Sequence, residues 1–262
     1  MKSETMMMNN NGTTTTDTIH YWMETFWEEN GDQRTANFPF MSTFRIPFSI
    51  CLAYYFIVLY AGPRLMKNRT PFSLKPILIV YNLLLSLKMF NVDFTSNYEY
   101  GTDEDLVTFW FYLMSKYIDL LDTIFFVMRK KQSQITGLHV YHHSMVPTFG
   151  WIYFRIRPFI VTPCVFALLN TPIHTIMYGY YGLAAIGPHM QKYLWWKRYI
   201  TQIQIIQFVL LFLYGIYFFI NQNGCPKFFI YDILFQSTLF FILFTRFYLR
   251  TYDNSRKNIK NQ

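Results

Sequence analysis

The sequence predicts an all-α, polytopic membrane protein of seven transmembrane helices, and three observations predict it. Of 262 residues, 52% are hydrophobic and 21% aromatic, while only 15% are charged; a soluble domain carries about a quarter. Seven stretches approach the length of roughly 20 apolar residues that spans a bilayer's hydrocarbon. Lys and Arg are concentrated in every second connection, as retention of basic loops on the cytoplasmic side requires.

Residues 1–43 form a polar N-terminal arm, Met/Asn/Thr-rich at its start and without a cleavable signal peptide. It is expected to be partly mobile, with Trp22, Phe26 and Trp27 resting at the membrane interface. The crossings follow at 46–62, 76–92, 109–128, 139–154, 159–183, 200–220 and 228–245, too long and too continuously apolar for barrel strands. Segments 63–75, 129–138 and 184–199 and the tail from Arg246 hold 15 of the 23 basic residues, and the alternate segments hold five. The N-terminus is therefore expected to be luminal and the C-terminus cytoplasmic. The acidic stretch Asp93–Asp105 and the sequon at Asn11 then fall on the luminal side, and the sequon at Asn68 falls on the silent, cytoplasmic side. The organisation is an arm (1–43), one helical membrane domain (44–251) and a polar cytoplasmic tail (252–262).

The net charge of +8 is spread over the cytoplasmic rims, so topology alone explains it and no nucleic-acid partner is implied. Cys51, Cys164 and Cys225 are scattered, with no CxxC pair, which suggests neither a disulfide framework nor a zinc site.

The informative residues are polar ones inside the crossings, because lipid makes each ionisable group costly. In the third crossing Lys116, Asp119, Asp122 and Thr123 share one face at about 100° per residue; an internal ion pair between Lys116 and one of the aspartates is the plain structural alternative. The fourth begins with His139, His142 and His143 at i, i+3 and i+4, so that any two can touch a common ligand. The fifth carries Asn170, His174, Met177, Tyr178, Tyr180 and Tyr181, where helix packing is the stronger competing explanation. The sixth carries Thr201, Gln204 and Gln207, preceded by Lys197. All four sets lie in the cytoplasmic half, which implies one shared cavity opening toward the cytosol.

Metal chemistry is the first rival reading of HxxHH. Membrane di-iron oxygenases and desaturases use about eight histidines in several boxes. This chain has six, and His20 and His189 lie outside the crossings. Without a metal, the imidazoles act as nucleophile, base or oxyanion partner. A neutral imidazole attacks a thioester, a second takes the proton and a carboxylate fixes the tautomer, a set of parts that suits acyl transfer from a CoA thioester.

Four segments, Lys116–Thr123, His139–His143, Asn170–Tyr181 and Thr201–Phe208, resemble in order the signatures of the very-long-chain fatty acid elongases, the ELO family; agreement continues at Trp196-Lys197 and Gly224-Cys225-Pro226. The resemblance covers about residues 32–252. It implies a multi-pass endoplasmic-reticulum enzyme, a 3-oxoacyl-CoA synthase that joins a long-chain acyl-CoA to malonyl-CoA with loss of CO2. The acyl-histidine intermediate maps onto His142, with His174, His143, His139, Asp122 and Asp119 around it. By the same carry-over Lys116, Arg129, Asn170, Tyr180, Lys197, Thr201, Gln204 and Arg250 hold the CoA portion. No metal and no cofactor is implied beyond the two CoA substrates. The expected partners are membrane lipids and the ketoacyl reductase, dehydratase and enoyl reductase of the elongation cycle, and homo-oligomerisation is left open.

Two positions depart from the family pattern. Residue 119 is Asp where Glu is usual, one methylene shorter, and the tail ends Lys260-Asn261-Gln262 without a dilysine pair. A non-catalytic membrane lipid transporter or receptor is the alternative function. Chain-length preference is not legible; Phe212, Tyr217 and Phe235 are candidates for the floor of an acyl tunnel, or ordinary lipid-facing aromatics.

Overall fold

The computed structural model describes residues 14–90, 102–159, 161–221 and 226–253. Asn11, most of the Asp93–Asp105 stretch, Cys225 and the end of the tail, including Lys260, lie outside the described residues. Within them the chain is helical, with no strand.

Eight helices follow the arm among the described residues: α1 (Arg45–Met66), α2 (Lys75–Phe90), α3 (Asp103–Ile118), α4 (Leu120–Met128), α5 (Gly137–Ile156), α6 (Val161–Ile186), α7 (Lys197–Asn221) and α8 (Lys227–Tyr248). They coincide with the seven apolar stretches, because α3 and α4 are two halves of one stretch broken at Asp119. By length and composition, α1, α7 and the segment Lys227–Tyr252 are long and apolar enough to cross a membrane. Large apolar side chains such as Leu52, Leu83, Leu213 and Ile220 point outward.

Local chemistry sets where the site-bearing helices begin. Thr102 and Asp105 form a reciprocal capping box at the start of α3: Thr102 N–H donates to Asp105 Oδ2 at 2.7 Å and Asp105 N–H donates to Thr102 Oγ1 at 3.3 Å. Thr136 Oγ1 accepts from His139 N–H at 3.2 Å, so α5 starts just ahead of its histidines, with His139 in the first turn. Pro147 and Pro172 sit inside α5 and α6; each lacks an N–H for the carbonyl four residues earlier and loosens the helix beside the site.

The helices close a ring. α2 packs along α6, α6 against α7, α7 along α8, and α3 and α1 against α5. Tyr81 ties α2 to the α3–α4 break by donating to the Ile118 carbonyl at 3.1 Å. The α5–α8 seam is closed by Tyr141 Oη donating to Gln236 Oε1 at 3.2 Å and by the His142 ring standing edge-on to Phe240. α1 lies outside this ring and lines neither of the two cavities it encloses. Close approach needs glycine at two points. A Cβ on Gly62 would come within 2.6 Å of Val127 on α4, and one on Gly215 within 2.8 Å of Leu234 on α8.

The arm departs from expectation. Residues 15–36 are largely helical and fold back over the end of the ring opposite Arg129 and Lys197. Trp22 is exposed, but Trp27 is buried edge-on to Trp151 and stacked on Phe44, within a cluster that includes Met41, Leu106, Phe109 and Phe154. Arg155, buried at the end of α5, donates to the backbone carbonyl of Asp32, and Trp151 donates to that of Phe40 at 2.9 Å. Burial of aromatic rings and two anchored carbonyls give this polar stretch a fixed place. The proposed floor residues also need correction: Phe212, Tyr217 and Phe235 are 38%, 55% and 61% exposed and face outward.

Candidate active site

The imidazoles that the sequence placed on one face of α5 meet groups from three other helices. His139 and His143, one turn apart, have ring centroids 4.1 Å apart. His142 lies 5.4 Å from His143 and 6.4 Å from His174 of α6, the latter with ring planes within 22° of parallel. His139 Nε2 shares a 2.9 Å hydrogen bond with Thr123, which bonds in turn to Tyr54 Oη at 2.8 Å. That chain fixes the His139 ring from α4 and α1. His143 bonds to the backbone of Asp119, a group turned toward α5 by the break between α3 and α4. Among the described residues, His143 Nδ1 and His174 Nδ1 are buried with no hydrogen-bond partner.

The carboxylates have separate jobs. Asp119 Oδ2 lies 3.4 Å from Lys116 Nζ and 4.0 Å from His174 Nδ1, all nearly solvent-free. The shorter Asp at this position therefore still reaches both neighbours. Lys116 also donates to Asn170 Oδ1 at 3.1 Å, as does Tyr112 Oη at 3.2 Å. Asp122 instead accepts from Tyr178 Oη at 3.1 Å and lines the larger cavity. The ion pair considered from sequence is thus Lys116 with Asp119, and it is embedded in a polar layer that neutralises both charges.

Two cavities flank this layer. The larger, of about 500 Å³, opens at the basic end. Its wall includes His139, His142, His143, His174 and Asp122, then Tyr180, Thr201 and Gln204, with Arg129 and Lys197 toward the outside. The second, of about 130 Å³, runs the other way between α3, α5, α7 and α8 and is mostly aromatic and aliphatic, with Phe109, Phe149, Phe154, Phe208 and Phe240 in its wall. His142 stands between them: it lines the first, and the edge-on Phe240 lines the second.

The expected CoA-holding residues divide accordingly. Arg129, Tyr180, Lys197, Thr201 and Gln204 share the mouth. Lys116 and Asn170 lie deeper, bonded to each other, with Lys116 in the wall of the apolar cavity. Arg250 lies beside the mouth, next to Thr251, which lines it. Cys164 is buried in the arm-side aromatic cluster, away from the histidines. Among the described residues, no three His, Cys, Asp or Glu side chains converge as a metal shell.

Sequence reading missed a second polar group, on α8. Tyr153 Oη donates to Asp232 Oδ2 at 2.9 Å, Gln236 bonds to Asp232 as well, and Tyr153, Asp232 and Gln236 all line the apolar cavity. The signal was present as an acid and an amide at i and i+4 in a mostly apolar helix.

The family model described as ELO, GNS1/SUR4 family matches residues 39–260. The chain belongs to the ELO family. It is 37% identical over 249 residues to very long chain fatty acid elongase 1 of Homo sapiens, covering 87% of this chain and 89% of that protein. It is 39% identical over 247 residues to very long chain fatty acid elongase 7 of Drosophila melanogaster, covering 86% and 74%. With very long chain fatty acid elongase 4 of Homo sapiens it shares 35% over 271 residues, covering 96% and 84%. All four polar segments quoted from the sequence fall inside the ELO match.

Proposed function

We propose that this ELO-family protein is the condensing enzyme of fatty acid elongation, extending a long-chain acyl-CoA by two carbons from malonyl-CoA. The observation that carries the reading is the position of His142, with a polar, basic-rimmed cavity on one side and an apolar cavity on the other. A thioester has the same polarity split, with a charged CoA portion and an apolar acyl tail, and its reactive carbonyl falls between them.

In the first half-reaction the lone pair of His142 attacks the acyl carbonyl and the carbon–sulfur bond breaks. The imidazolium loses its N–H proton to a neighbouring imidazole, and that proton passes to the CoA thiolate. The rings of His143 and His174, with centroids 5.4 Å and 6.4 Å from that of His142, are the acceptors nearest to it. In the second half-reaction the malonyl carboxylate leaves as CO2, and the electron pair left on carbon attacks the acyl-imidazole. A carbon–carbon bond forms, the carbon–nitrogen bond breaks, and His142 is regenerated with one proton taken up overall. Asp119 orients His174, while Thr123 fixes His139 so that its ring packs on His143. Arg129, Lys197 and Arg250 supply charge for the CoA phosphates at the rim.

The same reading makes all seven apolar stretches crossings of the endoplasmic-reticulum membrane, with the basic mouth on the cytosolic side where CoA esters are available, and makes the other elongation-cycle enzymes its partners. Purified protein given a long-chain acyl-CoA and carboxyl-labelled malonyl-CoA should release labelled CO2 in step with product. No acyl-dependent release across a panel of chain lengths would leave the transporter or receptor reading standing instead.

A further inference from the structure

A carboxylate in the wall of an apolar cavity calls for an account, because burying an ionisable group among aromatic rings is costly. Asp232 sits there with Tyr153 and Gln236, and the chain continues through Gln236 Oε1 to Tyr141. The group satisfies itself, so an ordinary hydrocarbon passing it meets no stranded donor or acceptor. It also keeps capacity: a carboxylate accepts about four hydrogen bonds, and Tyr153 and Gln236 occupy only part of that. Elsewhere the cavity wall is mainly Phe, Leu, Ile and Val, with Tyr112 and Lys116, both bonded to Asn170, and Ser237, bonded to the Ile233 carbonyl, as its other polar groups.

The depth of this group is fixed by α8. Phe240 touches the His142 ring, and Asp232 lies two helical turns nearer the arm end. Those eight residues rise about 12 Å, roughly nine carbon–carbon bonds of an extended chain.

We propose that Asp232, Tyr153 and Gln236 form a polar notch that accepts an oxygen substituent, such as a hydroxyl, near the tenth carbon of a bound acyl chain. The inference rests on the reading of His142 as the point where the acyl carbonyl sits. The substrate hydroxyl donates to Asp232, and Gln236 supplies a donor to its oxygen. A hydroxyl held at a depth walled only by Phe, Leu, Ile and Val binds about tenfold more weakly, the usual consequence of burying a hydroxyl without a partner. The notch widens the substrate class to mid-chain hydroxylated acyl-CoAs without excluding plain ones.

The test is competition of octadecanoyl-CoAs hydroxylated at carbon 4, 7, 10 or 13 against labelled octadecanoyl-CoA on the purified protein, with turnover of each measured in parallel. The expected profile peaks at carbon 10, within about threefold of the plain chain, and falls about tenfold on either side. In Tyr153→Phe/Asp232→Leu, which removes the carboxylate together with its phenolic donor, the carbon-10 peak relative to the plain chain disappears. A flat or steadily falling profile in the wild-type protein overturns the notch whether or not the variant folds, and so does equal loss of plain and 10-hydroxy chains in a folded variant. Binding separates the two readings. A carbon-10 peak without turnover keeps the notch and removes the condensing activity, whereas turnover of plain chains without a peak does the reverse.

Discussion

His142 and His174 face each other across the gap between α5 and α6, ring centroids 6.4 Å apart and planes within 22° of parallel. They belong to different helices and are not hydrogen-bonded to each other, so neither consumes the other's lone pair. His174 has Asp119 behind it at 4.0 Å, and His142 has Phe240 beside it. In the proposed mechanism this asymmetry divides labour between them, the ring backed by Asp119 handling a proton and the ring between the two cavities handling the acyl group.

Replacing His174 with Ala should lower kcat by at least about a hundredfold, the usual worth of a positioned general base. KM for acyl-CoA should change little, because the ring is distant from the basic rim. Steady-state kinetics with malonyl-CoA at saturation checks the split, and an equal rise in KM would recast His174 as a binding group.

The mouth should behave as an electrostatic receptor for CoA. Arg129→Ala and Lys197→Ala are each expected to raise KM for acyl-CoA several-fold with kcat nearly unchanged. The difference from wild type should shrink as salt rises from 50 to 500 mM, because the screening length for exposed charges shortens from about 14 Å to about 4 Å over that range. A penalty independent of salt would contradict the role.

Lys116 and Asp119 are each about 4–5% exposed. Removing one partner leaves an uncompensated buried charge, which costs about 3–5 kcal/mol. Lys116→Met should therefore destabilise strongly, and Lys116→Met/Asp119→Leu should recover much of the loss. Thermal melts in detergent test the pair; two additive losses would show that the charges are not coupled.

Arm docking depends on Arg155 reaching the Asp32 carbonyl. Arg155→Met should detach the arm, red-shift the emission of Trp27 and open the segment around residues 31–44 to protease. Acid should weaken the same region. The Asp32 carboxyl is held below its ordinary value of 3.8, first by the hydrogen bond from Arg34. A depressed folded-state value gives stabilisation that is complete above the unfolded value and fades as pH falls through the folded one. The arm should thus resist protease from neutral pH down to about 4 and become susceptible below.

The convergence of the site was legible because lipid punishes isolated polar groups. Four helices carrying His139–His143, Asp119–Asp122, Asn170–His174 and Thr201–Gln204 at one depth have to meet. Which aromatics of α7 face inward was not legible. Past Gln207 that helix carries almost only apolar and aromatic side chains, so local composition does not separate Phe208, buried against Phe240, from the outward Phe212 and Tyr217. The arm was read as polar because its composition is polar; the burial of Trp27 under Trp151 depends on residues more than a hundred positions away, and no local pattern announces it. Asp232 was readable as an anomaly, but its purpose required the cavity.

The most direct test of the account is intact-protein and peptide mass spectrometry after incubation with hexadecanoyl-CoA and no malonyl-CoA. The account predicts one added hexadecanoyl group on the peptide containing His142, discharged on addition of malonyl-CoA and absent from His142→Ala. An adduct that persists in His142→Ala, or that maps to the His174 peptide in the wild-type protein, would contradict it.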